Sequence, residues 1–375
     1  MSWQSCRLGD VLTLKRGHDL PEHSRQDGDV PVVSSSGITG RHKEAKAKAP
    51  GVVTGRYGTI GEVFYLEEDY WPLNTALYVI DFKGNDPRFS AYFLRNILKD
   101  YQSEKAAIPG VDRNVLHEIK VRAPDYTAQR RISDILSAYD DLIENNRRRM
   151  ALLEDAARQL YREWFVRLRF PGHEHTRITK GVPEGWERKC ISDFGDVVTG
   201  KTPSTKESDN YDGEIPFIKT PDMHGNVYVT KTESYLSEKG ADTQKGKYLP
   251  PDALLISCIG TIGVVALTST RSQFNQQINA LIPRDVHCRY YCFFAFKDLK
   301  QRMEAIGGGA TMGNVNKSKF ERLEVMRPAA TLLRDYDETC APMFRQILTL
   351  SFQNEKLRVA RDLLLPRLMS GEIQV

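Results

Sequence analysis

The second half of this chain repeats the first, and this internal repeat limits the possible fold more than any other feature of the sequence. The closest match is Gly-Thr-Ile-Gly, which occurs at residues 58–61 and again at 260–263. Each half also opens with a tryptophan and then Gly-Asp-Val, beginning at Trp3 and at Trp186. The offset between matched residues runs from about 183 to about 205, which leaves room for one globular domain in each half. We therefore expect two similar globular domains.

Shorter matches follow in the same order in both halves. An asparagine comes after each Gly-Thr-Ile-Gly motif, Asn74 in the first half and Asn275 in the second. Each globular part ends with a strand-like segment and a proline, at Pro124 and at Pro328. Glycines shared by the two halves would permit a tight turn before a buried strand, so we assign the shared motifs to the scaffold.

After each of these prolines the apolar period changes from two residues to about 3.5, which is typical of a long helix with a coiled-coil seam. The first helix is predicted over about 129–165, or roughly 50 Å at 1.5 Å per residue. Each seam carries one polar residue that would fix the register, and we expect the helices to pair through these two asparagines. The alternative is that each helix packs on its own domain or on another protein. The seam and partner-docking residues are Leu142, Asn146, Leu153, Leu160, Ile347, Asn354, Leu357 and Leu364.

These patterns predict a mixed α/β (α+β) fold. Two similar globular domains are joined by two long antiparallel coiled-coil helices, and a pseudo-twofold axis relates the halves. The predicted parts are domain 1 (1–125), helical spacer 1 (126–170), a linker (171–185), domain 2 (186–328) and helical spacer 2 (329–375).

Composition and missing motifs exclude several classes of protein. Six cysteines in 375 residues are too few for a disulfide scaffold and are badly spaced for a metal, so no metal site is predicted. The longest apolar stretch is too short to span a bilayer and the N-terminus has no signal-peptide core, which predicts a cytoplasmic protein. No P-loop, dinucleotide-binding glycine motif, adenine-methyltransferase signature or convincing nuclease carboxylate occurs. We therefore predict no catalytic residue in this chain.

Two similar domains held apart by a helical spacer suggest a protein that binds two sites at a fixed separation. Duplex DNA presents equivalent major-groove faces about every 34–36 Å, which suits such a protein. The net charge of +4 permits such a partner. Each polar loop alone is typical of an ordinary solvated surface, but such loops recur in both halves. Arg56 and Tyr57 stand where the second half has Cys258 and Ile259, so we expect Arg56 and Tyr57 to contact DNA. The candidate DNA-binding residues are Lys15, Arg16, Ser35, Arg41, Lys43, Arg56 and Tyr57 in the first domain, and Lys201, Thr202, Lys219, Asn275, Gln276, Asn316 and Lys317 in the second.

The order of these motifs over the whole chain resembles the specificity subunits of type I restriction-modification systems. The residues that carry the likeness are the two tryptophan and Gly-Asp-Val steps, the two Gly-Thr-Ile-Gly motifs, the helix Ile132–Trp164, Thr202-Pro203-Ser204 and the closing segment Leu364–Ile373. The first domain departs from this pattern, because His18-Asp19-Leu20-Pro21 stands in the place of Thr202-Pro203-Ser204.

The resemblance implies that each domain is a target-recognition domain that reads one half of a bipartite double-stranded DNA site. It implies that the helical spacer sets the gap and docks two methyltransferase subunits, which restriction subunits join. S-adenosylmethionine, ATP and Mg²⁺ would be held by those partners and not by this chain, and no membrane is involved.

Two other functions remain open from the residues. One is a stand-alone DNA methyltransferase or nuclease with a degenerate site, which would show cofactor- or metal-dependent turnover. The other is a two-domain interaction scaffold, which would lack the salt-sensitive DNA binding expected of a DNA reader.

Overall fold

The chain is divided into two compact units by its own contacts. The computed structural model describes residues 3–56, 61–104, 111–308 and 313–375, with the backbone alone at 100–104. Unit 1 consists of residues 1–142 and 357–375, and unit 2 of residues 143–356. Both divisions fall inside long helices, so each of these helices contributes one part to each unit. The domain boundaries predicted from the sequence lie near the starts of the two long helices rather than inside them. These boundaries stay a prediction.

Unit 1 contains the first half of the repeat, together with the end of the chain. Its elements are β1 (Trp3–Arg7), α1 (Leu8–Val11), β2 (Thr13–Arg16), β3 (Val30–Ser34), β4 (Gly37–His42), β5 (Gly51–Gly55), β6 (Val63–Leu66), β7 (Trp71–Pro72), β8 (Ala76–Asp81), α2 (Pro87–Glu104), α3 (Arg113–His117), β9 (Lys120–Pro124) and the start of α4 (Tyr126–Tyr161).

The core of unit 1 lies on both faces of a four-stranded sheet in the order β2-β8-β5-β6. One face packs on α2, where Phe89 and Leu94 are fully buried, and the same cluster includes Ile132 and Leu136 of α4. The other face packs on a three-stranded sheet, β4-β3-β7, through residues such as Tyr70. The middle sheet is covered on both sides, and its inner strand β5 is accordingly buried at every residue.

The second half of the repeat lies in unit 2. After the hairpin β10 (Ile178–Thr179) and β11 (Val182–Pro183), its elements are β12 (Glu187–Cys190), β13 (Gly195–Thr199), β14 (Tyr211–Ile218), α5 (Thr220–Met223), β15 (Tyr228–Val229), β16 (Ser234–Leu236), α6 (Glu238–Asp242), β17 (Leu254–Ser257), β18 (Val265–Thr268), β19 (Gln273–Phe274), β20 (Ile278–Pro283), α7 (Arg289–Asp298), α8 (Lys300–Gly307), α9 (Lys317–Glu321), β21 (Glu324–Arg327) and most of α10 (Ala330–Ser370).

Unit 2 repeats the strand pairing of unit 1. The sheet β13-β20-β17-β18 corresponds to β2-β8-β5-β6 and gains β15 at its edge. The sheet β16-β14-β19 corresponds to β4-β3-β7, and the pair β12-β21 corresponds to β1-β9. In both three-stranded sheets the last pair of strands is parallel. The predicted mixed α/β fold with an internal repeat is confirmed.

The two long helices pair in antiparallel fashion within each unit. In unit 2 the Nδ2 of Asn146 donates to the Oδ1 of Asn354 at 2.9 Å, and both residues are buried. In the same unit the hydroxyl of Tyr336, near the start of α10, donates to the carbonyl of Ala157, near the end of α4, at 3.0 Å. In unit 1 the guanidinium of Arg361 binds the carboxylate of Asp140. The expected pairing through the two asparagines is therefore observed.

One predicted seam residue lies on the wrong face. Leu142 is 45% exposed, whereas its neighbour Ile143 is 4% exposed and takes the inward position. The reason is that Ile132 and Leu136 both face the core of unit 1, and Ile143 follows Leu136 by one heptad on the same face of the helix. Leu153 and Leu160 are half-buried against the core of unit 2, Ile347 is buried there, and Leu364 packs against the core of unit 1. Leu357 is half-buried.

None of the helices in the described part of the chain combines the length and apolar character that crossing a membrane requires.

Candidate nucleic-acid interface

Loops at one end of the strands in the four-stranded sheet of unit 1 bring several polar side chains together. Strand β2 ends at Arg16, β5 ends at Gly55 and β8 begins at Ala76, and since these neighbouring strands are antiparallel, all three points lie at the same edge. The end of β3 joins them, because the amide of Leu73 donates to the carbonyl of Val33 at 2.8 Å. We name residues 16–19, 34–36, 56 and 73–75 the first loop edge.

The same arrangement occurs in unit 2. Strand β13 ends at Thr199, β17 ends at Ser257 and β20 begins at Ile278. The amide of Asn275 donates to the carbonyl of Ile218 at 3.0 Å, which brings the end of β14 to this edge. We name residues 199–202, 219–220, 258–260 and 275–277 the second loop edge.

Matching backbone hydrogen bonds show which residues of the two edges are equivalent. The amide of Gly17 donates to the carbonyl of Ala76 at 3.1 Å, and that of Gly200 donates to Ile278 at 3.1 Å. A Cβ at Gly17 would lie 2.2 Å from the carbonyl oxygen of Leu73, and one at Gly200 would lie 2.0 Å from that of Asn275. Both positions therefore require glycine, and the residues that follow them are held in the same place in both edges.

The match between Asn74 and Asn275 in the sequence is wrong by one residue. The amide of Arg56 donates to the carbonyl of Thr75 at 3.0 Å, and the amide of Cys258 donates to that of Gln277 at 2.8 Å. Thr75 is thus the counterpart of Gln277, and Asn74 is the counterpart of Gln276. The expected equivalence of Arg56 and Cys258 rests on the same pair of bonds.

A further segment lies beside each edge. The amide of Val111 donates to the carbonyl of Arg56, and that of Val315 donates to the carbonyl of Cys258, both at 2.9 Å. In the second Gly-Thr-Ile-Gly motif, Gly263 has φ of +83° and a Cβ there would lie 2.7 Å from the Cγ of Lys300, so it serves the scaffold as expected. In the first motif, residues 58–60 lie outside the described residues.

Each loop edge carries one side-chain pair at equivalent positions. In the first, the Nδ2 of Asn74 donates to the Oδ1 of Asp19. In the second, the hydroxyl of Thr202 donates to the Oε1 of Gln276. Asp19 and Gln276 are exposed, and Asn74 and Thr202 are half-buried. The two pairs lie next to Gly17 and Gly200. We name the pair Asp19–Asn74 the first tip and the pair Thr202–Gln276 the second tip.

His18 links the first tip to nearby positive charge. Its Nε2 lies 3.2 Å from the hydroxyl of Tyr78. Burial lowers the pKa of His18, as do the positive charges of Lys15 and Lys46, while Asp19 opposes them. The imidazole is therefore neutral at pH 7, and Lys15 and Lys46 supply positive charge beside it.

Many of the predicted DNA-binding residues gather at the two edges. Exposed or half-buried residues of the first edge are Arg16, Ser35 and Arg56, with Lys15 one residue inside β2. Lys201, Thr202, Lys219 and Gln276 belong to the second edge, where the Nζ of Lys219 donates to the Oγ of Ser234 at 2.7 Å and lies 3.6 Å from a carboxylate oxygen of Glu233.

Three residues of the second domain have structural roles that sequence reasoning did not foresee. Asn275 is 8% exposed and its amide donates to the Oε1 of Gln277 at 3.0 Å, so its side chain helps to hold the loop. Asn316 caps α9, where its Oδ1 accepts from the amide of Lys319 at 2.9 Å. Lys317 is exposed on the first turn of α9 and pairs with Glu321 at 3.4 Å.

Arg41 and Lys43 do not belong to the first edge. Strands β3 and β4 form a hairpin in which Ser34 pairs with Gly37 at the turn and Pro31 pairs with Arg41 near the other end. At about 3.3 Å per residue, three residues of strand separate Arg41 from the turn by roughly 10 Å. The guanidinium of Arg41 donates instead to the carbonyl of Asp29. Tyr57 lies outside the described residues.

Sequence reasoning missed Asp19 and Asn74 as site residues. Aligning Gly17 with Gly200 makes Asp19 the counterpart of Thr202. Because Thr202 is a candidate, this alignment could have identified Asp19 as a candidate too. Among the described residues, no three side chains of His, Cys, Asp or Glu are grouped so as to hold a metal ion.

Two copies of one α/β domain, each followed by a long helix and each with the same loop edge, define a protein with two equivalent binding domains. The family model described as the type I restriction modification DNA specificity domain matches residues 1–155 and 183–331. The chain belongs to this family of type I restriction-modification specificity subunits. The predicted resemblance is confirmed, and the chain is a DNA-recognition subunit rather than an enzyme on its own.

Individual relatives agree with this assignment. The type I restriction enzyme HindI specificity subunit of Haemophilus influenzae is 31% identical, with 99% of each chain covered. The type I restriction enzyme MjaIX specificity subunit of Methanocaldococcus jannaschii is 25% identical over 76% of this chain and 68% of its own. The crystal structure of a type I restriction-modification S subunit from M. genitalium has the same fold, with a TM-score of 0.61 at 14% identity over 98% of this chain and 96% of the other.

Proposed function

We propose that each loop edge binds one half of a bipartite DNA sequence and that the two halves differ. The observation that carries the proposal is the set of matching backbone hydrogen bonds in the two edges combined with different side chains at equivalent positions. Arg56 in the first edge is the counterpart of Cys258 in the second, and Asp19 is the counterpart of Thr202. A shared backbone positions each edge in the same way, and different side chains recognise different bases.

Positive charge at each edge supports a duplex as the ligand. Lys15 and Arg16 are exposed at the first edge, Lys201 is exposed at the second, and Lys219 is half-buried there. Such side chains bind phosphates and release counterions, so affinity should fall with salt by close to one log unit per contact for each tenfold rise in concentration.

The exposed apolar residues of the two long helices support a partner-docking role. Leu152 of α4 is 71% exposed and Leu363 of α10 is 65% exposed, and Leu142 and Val359 are also exposed. We propose that two methyltransferase subunits bind these helices and that restriction subunits join them. In this proposal the partners hold S-adenosylmethionine, ATP and Mg²⁺, and the assembly works in the cytoplasm. The intact mass of a complex purified through a tag on this chain tests it: two methyltransferase copies per chain are expected, and an unaccompanied chain would contradict it.

The DNA proposal is tested by selecting binding sites from a random duplex library with the full-length chain and with Arg56→Ala. We expect the wild-type chain to enrich a bipartite sequence. Arg56→Ala should relax one half-site, with a loss of about 1–3 kcal/mol of discrimination if the guanidinium reads a base. The matched control is Arg41→Ala, which removes the same side chain at the far end of the β3–β4 hairpin and should leave both half-sites intact.

Two outcomes would contradict the proposal. One is a wild-type chain whose binding has no sequence preference or no salt dependence. The other is an Arg56→Ala variant that weakens both half-sites equally, since the residue belongs to one edge only.

A further inference from the structure

The two tips occupy equivalent backbone positions but offer opposite hydrogen-bonding groups. The pair Asp19–Asn74 and the pair Thr202–Gln276 occupy equivalent positions next to Gly17 and Gly200. Each pair contains one exposed member, so each can face a ligand while its partner holds it in place.

The first tip offers mainly acceptors. An ionised carboxylate only accepts hydrogen bonds, so the orientation of the Asn74 amide is determined, with its nitrogen toward Asp19. One oxygen of Asp19 and the Oδ1 of Asn74 remain available as acceptors, beside a single remaining N–H. The exposed carboxylate also places a negative charge at this tip.

Donors predominate at the second tip. The hydroxyl of Thr202 donates to the Oε1 of Gln276, which leaves both N–H groups of that amide available. The preceding residue, Lys201, is exposed and adds an ammonium group with three further donors.

We propose that the two tips read opposite classes of base edge in the major groove. The Asp19–Asn74 pair reads a base that presents an amino group, adenine or cytosine. The Thr202–Gln276 pair reads a base that presents a keto oxygen, guanine or thymine. The assignment follows from the major-groove pattern, in which adenine N6 and cytosine N4 donate while guanine O6 and thymine O4 accept. The inference rests on the proposed function, because it names the bases that the same two edges would contact.

The test compares the sites that the full-length chain selects from a random duplex library with those selected by Asp19→Asn and by Gln276→Glu. Each change keeps the size of the side chain: the first replaces an acceptor with a donor, and the second replaces donors with acceptors. We expect Asp19→Asn to lose its preference for adenine or cytosine at a position of one half-site, by about 5- to 150-fold. Gln276→Glu should lose the preference for guanine or thymine at a position of the other half-site. Matched controls are Asp27→Asn and Gln301→Glu, which make the same changes at exposed residues outside both edges.

The outcomes separate this inference from the proposed function. If the wild-type chain selects a bipartite sequence but both variants select that same sequence, the inference is wrong and the proposed function stands. Because every base pair presents one amino and one keto group, this kind of recognition depends on the orientation of the pair. A sensitive position that separates A·T from G·C in either orientation would also overturn the inference. If the wild-type chain selects no bipartite sequence, the proposed function itself fails.

Discussion

His117 shows how a single protonation state supports the first domain. Its Nε2 accepts a hydrogen bond from the amide of Leu14 at 2.9 Å, next to the start of the first loop edge. Burial lowers the pKa of His117, the charge of Arg113 lowers it further, and Glu118 opposes them. A protonated imidazole has no acceptor, so protonation breaks the bond to Leu14.

This contact predicts a loss of stability in mild acid. The pKa of His117 is lower in the folded state than its unfolded value of about 6.5, so its contribution is complete above that value and is lost as the pH falls through the folded pKa. We expect the free energy of unfolding of the wild-type chain to fall as the pH is lowered below about 7. His117→Gln, whose amide oxygen can accept the same bond at any pH, should lose less over this range.

His18 also has a lowered pKa and remains in both proteins, so the difference between the two denaturation series isolates His117. The control is His23→Gln at an exposed site. Equal losses in the wild type and in His117→Gln would show that the bond to Leu14 does not depend on protonation.

At the scale of elements, the pairing of α4 and α10 within unit 2 is set by a polar contact in an apolar seam. The Oδ1 of Asn354 accepts from Asn146, and its Nδ2 donates to the carbonyl of Ile143 at 3.3 Å. The neighbouring contact places the hydroxyl of Ser351 3.2 Å from the Sδ of Met150. A buried amide with defined partners favours one register over its neighbours at some cost in stability.

Replacing one asparagine should cost more than replacing both. Asn146→Leu leaves the Oδ1 of Asn354 buried without a donor, which we expect to lower the free energy of unfolding by about 1–3 kcal/mol. The double variant Asn146→Leu, Asn354→Leu removes both polar groups and should recover most of this loss. Urea denaturation checks the series, with Asn145→Leu at the adjacent exposed position as the control. A double variant less stable than the single one would show that leucine does not fit the seam.

At the scale of the whole molecule, the two ends of the chain meet in unit 1. Leu365, Leu368 and Met369 of α10 are part of the same core as α2, and the guanidinium of Arg131 donates to the carbonyl of Val375 at 3.3 Å. Gly371 follows α10 with φ of +79° and lies against Trp3, so the last residues complete the domain that the first residues begin.

Gly371→Ala should therefore destabilise unit 1 from the far end of the sequence. The positive φ costs about 1–2 kcal/mol for a residue with a side chain. The added Cβ would also lie 2.7 Å from the Nε1 of Trp3. Hydrogen exchange should show faster opening of unit 1, with unit 2 unchanged.

The matched control is Gly172→Ala, where φ is +83° but nothing lies within 4 Å of the added Cβ. It separates backbone strain from the collision with Trp3. Equal effects of the two variants would mean that the contact with Trp3 relaxes without cost.

The sequence by itself determined the repeat, the two long helices and the pairing of Asn146 with Asn354, because periodicity and one polar residue in an apolar stripe are properties of the chain alone. Only the tertiary structure decided which polar residues share an edge. Strand register sets that choice, and a shift of one residue exchanges an outward side chain for an inward one. In the loop before β20, Gln276 is exposed while its neighbour Asn275 is buried. In α4, packing on the core of unit 1 places Ile143 rather than Leu142 in the seam. Strand pairing places Arg41 at the far end of the β3–β4 hairpin, away from the first loop edge. It also brings Asp19 and Asn74 into contact, although 55 residues separate them in the chain.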